Sequence, residues 1–312
     1  MKTLVTESVE IASEIVRNGG IVAFPTETVY GLGAPFSDTE AIKKVFDAKR
    51  RPQDNPLIVH ISTPEQIEQV ASEITLSAAT LIAEFFPGPL TIVLPKSGAV
   101  PELVTAGLET VAVRMPANEI AIALIEGSRT PLVAPSANVS GKPSPTTAAA
   151  VIEDLGGVID CVLDGGQTRH GLESTVVDCT GETPVLLRSG SLSIEDLRTV
   201  CPDIKKLEPS SDLSRRSPGL RHRHYSPEAA VLAVNTPDPS PPPNTAFIGF
   251  MTAGEGYDFV VPVETKEEYA VRLFEFLREC DRRGIQLVHC EAVDEAGIGS
   301  AIMDRIRRAA AD

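Results

Sequence analysis

The sequence predicts an α/β protein of two domains, and three observations carry that expectation. Short apolar runs suited to buried strands alternate along the chain with segments whose apolar residues recur at helical spacing. Once, between about Lys205 and Pro227, the alternation dissolves into Ser, Arg, Pro and His, the composition of a linker. The 312 residues are ample for two domains with buried cores, and 42% hydrophobic residues describe an ordinary soluble globular chain.

The first helix is expected over residues 7–18, where Val9, Ile11, Ala12, Ile15 and Val16 fall on one face and Gly19-Gly20 ends the run. Residues 21–24 form a short apolar strand that Pro25 stops, because proline has no N–H for a ladder. Thr26, Glu27, Thr28 and Tyr30 then gather hydroxyl and carboxylate groups at the strand end. Gly31-Leu32-Gly33 reads as a turn that lets backbone approach a ligand, although a plain connection uses the same residues. Asp38 or Thr39 caps a helix carrying Ala41, Ile42, Val45 and Phe46 that ends near Lys49. The cations Lys49, Arg50 and Arg51 either complement that helix's C-terminal dipole or serve a site from an exposed loop. A stiff turn over 52–56 leads into a strand over 57–61.

A helix over about 64–86 is followed by Pro87-Gly88-Pro89 and by strands over 90–94 and 110–116. In the second strand Thr110, Ala112 and Arg114 share one face, so an arginine stands where a small core residue is usual and requires an anion. After a helix near 119–127, a strand over 132–135 breaks into a loop over 136–144 rich in hydroxyl, amide and backbone donors. That loop is a second site element or a polar surface turn. Residues 173–178 and 184–190 read as a hairpin, with Ser174 and Arg188 near the strand ends. Beyond the linker, strands over 230–234, 246–250 and 285–289, a helix over 266–283 and a terminal helix from about 300 make a small alternating domain with a parallel sheet.

The net charge of -15 excludes a protein that coats nucleic acid or anionic membrane through its overall field, so any RNA contact has to be local. Five cysteines without a C-x-x-C pair support neither a disulfide framework nor a zinc knuckle. No apolar run approaches the roughly 18 residues of a membrane span and the N-terminus lacks a signal-peptide core, so a cytoplasmic location is expected. There is no Walker A motif, no full dinucleotide fingerprint and no catalytic triad. What remains is a set of cations on separate elements, Lys49, Arg51, Arg114 and Arg188, with the polar groups of Ser136 and Asn138. That set suits a polyphosphate whose charge is shared with a magnesium ion keeping most of its waters. On composition alone, the chain binds an anionic small molecule.

Several motifs, taken in order, narrow this further. They are Pro25-Thr26-Glu27-Thr28-Val29-Tyr30-Gly31-Leu32-Gly33, Lys49-x-Arg51-Pro52 with Asn55-Pro56-Leu57, Pro87-Gly88-Pro89, Val113-Arg114-Met115-Pro116, Ser136-x-Asn138 with Ser140-Gly141, and Glu173-Ser174-Thr175. Together they closely resemble the YrdC/Sua5 family. The similarity runs on through Ser217-Pro218-Gly219 and His224-Tyr225-Ser226-Pro227 into the last domain, which resembles the long Sua5 form rather than the single-domain form. Residues 205–214 match no motif. The resemblance implies a YrdC-like catalytic domain over 1–205, a twisted mixed sheet with a concave positive face. A linker or lid over 206–228 and a Rossmann-like C-terminal domain over 229–312 would follow.

The implied activity is synthesis of L-threonylcarbamoyl-adenylate and pyrophosphate from L-threonine, bicarbonate or CO2, and ATP with Mg2+. The product would feed a downstream machinery that modifies adenosine in tRNA, with tRNA contact an open question. By position, the resemblance puts Thr28, His60, Arg114, Ala134 and Ser174 around threonine and Ser136 between threonine and nucleotide. It puts Lys49, Arg51, Asn55, Thr110, Asn138, Ser144 and Arg188 on ATP, with Lys49 and Arg51 as electrostatic catalysts and His224 or Tyr225 closing over it. The segment from Ser217 to Pro227 then reads as a lid hinged at Pro218, Gly219 and Pro227. Two other readings are an RNA-binding module of the same fold without turnover and a nucleotide-sensing regulator.

Overall fold

The computed structural model describes residues 2–208, 213, 216 and 225–310. The chain opens with β1 (Leu4–Thr6), α1 (Val9–Arg17), β2 (Val22–Phe24), β3 (Gly31–Pro35), α2 (Thr39–Lys49) and β4 (Ile58–His60). A 3-10 turn (Pro64–Gln66) and α3 (Ile67–Val70) lead to α4 (Leu76–Phe85), β5 (Leu90–Pro95), α5 (Glu102–Thr105), β6 (Thr110–Arg114), α6 (Glu119–Ser128) and β7 (Leu132–Val133). Next come α7 (Ala148–Leu155), β8 (Cys161–Leu163), β9 (Thr175–Asp178), β10 (Val185–Arg188), α8 (Ile194–Arg198) and β11 (Lys205–Lys206). The C-terminal part holds β12 (Ala230–Val234), β13 (Thr245–Gly249), β14 (Phe259–Pro262), α9 (Lys266–Arg283), β15 (Leu287–Glu291) and α10 (Gly299–Ala310).

The first eleven strands form one mixed sheet in the order β1-β8-β2-β3-β7-β4-β6-β5-β9-β10-β11, and the last four form a parallel sheet in the order β12-β15-β13-β14. Helix ends follow local chemistry. Ser8 caps α1 by accepting from the Ile11 N–H, and Asp38 caps α2 by accepting from Glu40 and Ala41. Among the described residues no helix is long and apolar enough to cross a membrane.

Two sequence expectations change. Gly31-Leu32-Gly33 is not a turn but the start of β3, antiparallel to β2 with Ala23 opposite Leu32. Glycine is needed there because the Phe24 ring lies across the strand, so a Cβ on Gly33 would sit 2.9 Å from the ring edge. The expected helix over 64–86 is instead broken: Ala71 bridges to Lys96, and Thr75 restarts the helix by capping the Ala78 N–H. Sequence reading passed over β1, α5, α7, β8, α8, β11 and β14, all of them short. β14 is an edge strand ending in a proline, where the apolar run is brief.

Parallel pairing sets β4 beside β6 with His60 opposite Arg114, and β5 runs antiparallel on the other side. The two domains then close on each other. Arg278 of α9 donates to the Pro143 carbonyl at 2.6 Å and to Asp154 at 2.7 Å, while Val29 and Leu172 join the C-terminal core. Gly171, at φ +75°, has α9 so close that a Cβ would lie 2.4 Å from the Val271 Cα. Gly171→Ala is therefore expected to destabilise the protein by about 2–3 kcal/mol, through strain and displacement of α9. Urea unfolding of the two proteins side by side checks this.

Candidate active site

One cavity gathers residues from β3, β4, β6, β10 and the loops around them. At one end is Arg114, 4% exposed. The sequence demanded an anion for it, and the structure supplies one from the chain: the Glu27 carboxylate is 2.7 Å from Nη2. Nη1 donates to the Thr28 hydroxyl at 2.9 Å, and Nε reaches the Gly88 carbonyl at 3.4 Å. The turn that delivers Glu27 and Thr28 is organised by Thr26, whose hydroxyl oxygen accepts from the N–H groups of Thr28 and Val29 and donates to the Val29 carbonyl at 2.7 Å.

His60 stands beside Arg114. Burial, reinforced by the Arg114 charge, pulls its imidazole down to about 3, so the ring is neutral at any ordinary pH. Nδ1 lies 3.2 Å from the Ile58 carbonyl, which can only accept; the ring proton is therefore on Nδ1, leaving Nε2 as an acceptor. Ser174 contacts the Thr91 hydroxyl at 2.8 Å and receives Arg188, whose Nε donates to its carbonyl at 3.1 Å and Nη2 to its hydroxyl at 3.2 Å.

At the other end Arg51 is anchored by the Asn55 and Pro56 carbonyls, at 3.3 and 2.9 Å, and burial lowers its guanidinium to about 10. The Ser136 hydroxyl donates to Asn138 Oδ1 at 2.5 Å, and the Asn138 amide donates to the Val139 and Lys142 carbonyls, both at 2.9 Å. That side chain thus closes its own loop, as the dense turn chemistry required.

Of the residues singled out from the sequence, Thr28, Arg51, His60, Arg114, Ala134, Ser136, Asn138, Ser144, Ser174, Arg188 and Tyr225 line this cavity. Lys49, Asn55 and Thr110 do not. Thr110 begins β6 at the far end from Arg114, roughly 13 Å away along a strand. His224 lies outside the described residues, as do most of the proposed lid and its hinge residues Pro218 and Gly219. The placement of Lys49 and Arg51 on an exposed loop is overturned. Both are buried, Lys49 to 1% exposure as the last residue of α2, and only Arg50 between them points out. Burial and the neighbouring Arg51 hold the Lys49 amine well below its usual value. Its Nζ donates to the carbonyls of Ser136 and Asn138 at 2.5 and 2.6 Å.

Two lining residues, Lys142 and Glu173, were not singled out, although both stand within motifs already recognised. Tyr225 sits at φ +64°, stacks on Phe274 at 5.1 Å, and is pushed up to about 12 by burial. The next residue, Ser226, donates its N–H to the Gly141 carbonyl at 2.8 Å. Among the described residues no three His, Cys, Asp or Glu side chains stand together as a metal cage.

With this geometry in hand, comparison with known proteins is direct. A family model described as Telomere recombination, covering the Sua5, YciO and YrdC proteins, matches residues 14–190. A second, described as Threonylcarbamoyl-AMP synthase, C-terminal domain, matches 192–311. This chain belongs to the Sua5/YrdC family. Two curated Sua5/YrdC relatives, each named Threonylcarbamoyl-AMP synthase, align over most of their length. The one from Pyrococcus abyssi is 46% identical over 96% of this chain and 93% of its own, and the one from Bacillus subtilis 42% over 96% and 92%. The crystal structure of Pyrococcus abyssi Sua5 complexed with L-threonine superposes with a TM-score of 0.92 at 44% identity, covering 99% of this chain and 98% of the other. Escherichia coli YciO, at 24% identity and a TM-score of 0.55 over 63% of this chain, shares the fold of part of it.

Two outcomes follow for the site. Lys49→Met removes the donor of two buried carbonyls and should cost about 2 kcal/mol or more in urea unfolding, whereas Arg50→Ala, on the exposed neighbour, should change stability by less than about 0.5 kcal/mol. His60 is neutral when folded and has an ordinary value near 6.5 when unfolded, so its contribution is present above pH 6.5 and is lost as pH falls toward 3. Unfolding free energy measured between pH 6.5 and 4 should therefore fall about 1.4 kcal/mol per pH unit less steeply in His60→Asn than in the parent.

Proposed function

We propose that this chain is an L-threonylcarbamoyladenylate synthase, using L-threonine, bicarbonate or CO2, and ATP, and releasing pyrophosphate. The observation that carries the reading is the convergence in one cavity of Arg51, Arg114, Lys142 and Arg188, from four separate stretches of chain, around the Ser136-x-Asn138 loop. The likeness to curated synthases over nearly the whole chain supports it.

In this reading Arg114, already braced by Glu27, presents its remaining donor capacity with Thr28 to the threonine carboxylate. The neutral His60 offers an acceptor rather than a second cation, which leaves the amine end free of repulsion. The unprotonated amine attacks CO2, forming the N–C bond and releasing one N–H proton to water, to give a carbamate. A carbamate oxygen then attacks the α-phosphorus as the bond to pyrophosphate breaks. No protein nucleophile is required. Arg51 and Arg188, both buried, supply fixed positive charge for the triphosphate and the departing pyrophosphate. Carbamate and adenylate both hydrolyse, so burial of these groups serves the chemistry by limiting water.

Among the described residues the side chains do not form a magnesium cage, and the one acidic lining residue, Glu173, is already paired with Ser144 and Arg305; the ion is assigned here only as the companion of ATP. Cytoplasmic action, delivery of the product to a tRNA-modifying transferase and any local tRNA contact belong to the same proposal.

Incubation with ATP, L-threonine and bicarbonate should yield pyrophosphate and a threonylcarbamoyl-nucleotide by mass spectrometry, each requiring all three substrates; pyrophosphate release indifferent to threonine would refute it. Within that assay Arg114→Lys, which keeps a cation for Glu27 but loses the guanidinium fork, should raise the threonine KM about tenfold or more. The ATP KM should move less than about threefold. Alanine is a poorer probe at this position, because it strands the buried Glu27 carboxylate without its partner.

A further inference from the structure

Thr91, on β5, is 0% exposed and does not line the cavity, yet its hydroxyl lies 2.8 Å from that of Ser174, which does. Strand register sets both in line with the residues at the Arg114 end. Ile58, Val93, Ala112 and Val176 pack together on one face of the sheet. Side chains alternate along a strand, so the residues two positions away, His60, Thr91, Arg114 and Ser174, share that face. The four strands concerned are neighbours in the order β4-β6-β5-β9, with His60 opposite Arg114 and Thr91 opposite Val176. The four side chains therefore form a row across one end of the cavity, and Thr91 is the member that the cavity does not reach.

Only one arrangement of the two hydroxyl hydrogens satisfies both groups. Ser174 Oγ accepts from Arg188 Nη2 at 3.2 Å and meets Thr91 Oγ1, with no further partner among the described residues. Thr91 Oγ1 has Ser174 alone. Were Ser174 to donate to Thr91, the threonine hydrogen would be left buried without an acceptor, which is costly. With Thr91 donating, that hydrogen is used, and Ser174, already accepting twice, keeps its own hydrogen for the cavity it lines.

We infer that Thr91 is a positioning residue for the amino-acid substrate: by donating to Ser174, it holds the serine hydroxyl as a donor toward the carboxylate of L-threonine. The inference rests on the functional reading above and deepens it. A free serine hydroxyl can give or take a hydrogen bond, whereas one that already accepts from Arg188 and Thr91 can only give. Such a group suits an anionic oxygen and has nothing to offer an ammonium. Thr91 acts through Ser174 and never meets the ligand, so valine in its place keeps the shape and loses the direction.

The test is a double-mutant cycle on the full chain. L-threonine affinity by calorimetry and the KM of each substrate in the pyrophosphate assay are measured for the parent, Thr91→Val, Thr91→Ser, Ser174→Ala, and Thr91→Val combined with Ser174→Ala. Thr91→Val should bind L-threonine about fivefold or more weakly, with the ATP KM within about twofold of the parent. Thr91→Ser keeps the hydroxyl and should stay within about twofold throughout. Against Ser174→Ala, adding Thr91→Val should change threonine affinity by less than about twofold, because no hydroxyl remains to be directed. A packing role gives the reverse pattern, sparing valine and harming serine. Unchanged threonine affinity in Thr91→Val, an equal loss in Thr91→Ser, or losses that add in the double variant overturn the inference. An ATP KM that rises as far as the threonine KM does so too, since it moves the Ser174 donor to a phosphate oxygen. If Thr91→Val does not fold, Thr91→Ala is read in its place against the same limits. If the parent itself neither binds L-threonine nor releases pyrophosphate, the functional reading fails and this inference with it; an active parent with an indifferent Thr91→Val sinks the inference alone.

Discussion

The ion pair between Glu27 and Arg114 is the constraint on which the site depends. Two charges only 2.7 Å apart and almost wholly removed from water are tolerable because each is oriented by backbone that has no freedom to drift. Arg114 ends β6, whose parallel pairing with β4 also delivers His60. Glu27 sits in the turn that Thr26 pins between β2 and β3. The strand order therefore reads as a means of bringing one arginine, one carboxylate and one neutral imidazole to the same point.

The cations at the other end obey a related rule. Lys49 and Arg51 are not presented by a solvated loop but held by main-chain carbonyls, which take up their donors without cancelling their charge. A carboxylate partner would neutralise them; a carbonyl only orients them. Lys49 uses this arrangement to shape the Ser136-x-Asn138 loop from behind, and Arg51 to face the cavity. The positive field in the pocket coexists with a chain of net charge -15 because it is made locally, in a region of low dielectric.

The C-terminal domain is joined to this arrangement by contacts that would be costly to leave half made. Arg278 reaches Asp154, Arg305 reaches Glu173, and Gly171 allows α9 to approach the catalytic domain at backbone distance. The stacked Tyr225 and Phe274 rings sit where the linker re-enters described structure. A domain docked by buried charges rather than by apolar area alone has one registry in which every charge is paired.

Sequence by itself determined the two-domain α/β plan, the long helices and the family, because these are written in local periodicity and in contiguous motifs such as Pro25-Thr26-Glu27-Thr28 and Ser136-x-Asn138. The helix over 266–283 was read with its ends in place, since Thr265 and Gly284 cap it with residues suited to those roles. Most of the cavity's lining was legible for the same reason. What the tertiary structure alone decided is who meets whom. Nothing near Arg114 in sequence names Glu27 as its partner, nothing near Lys49 says that it is buried, and nothing near Glu173 points to a guanidinium 132 residues away. Gly31 and Gly33 looked like a turn because their strand character comes from pairing with β2, and glycine is needed there only because the Phe24 ring packs over them. Such choices depend on strand pairing and domain docking, which local propensity does not encode.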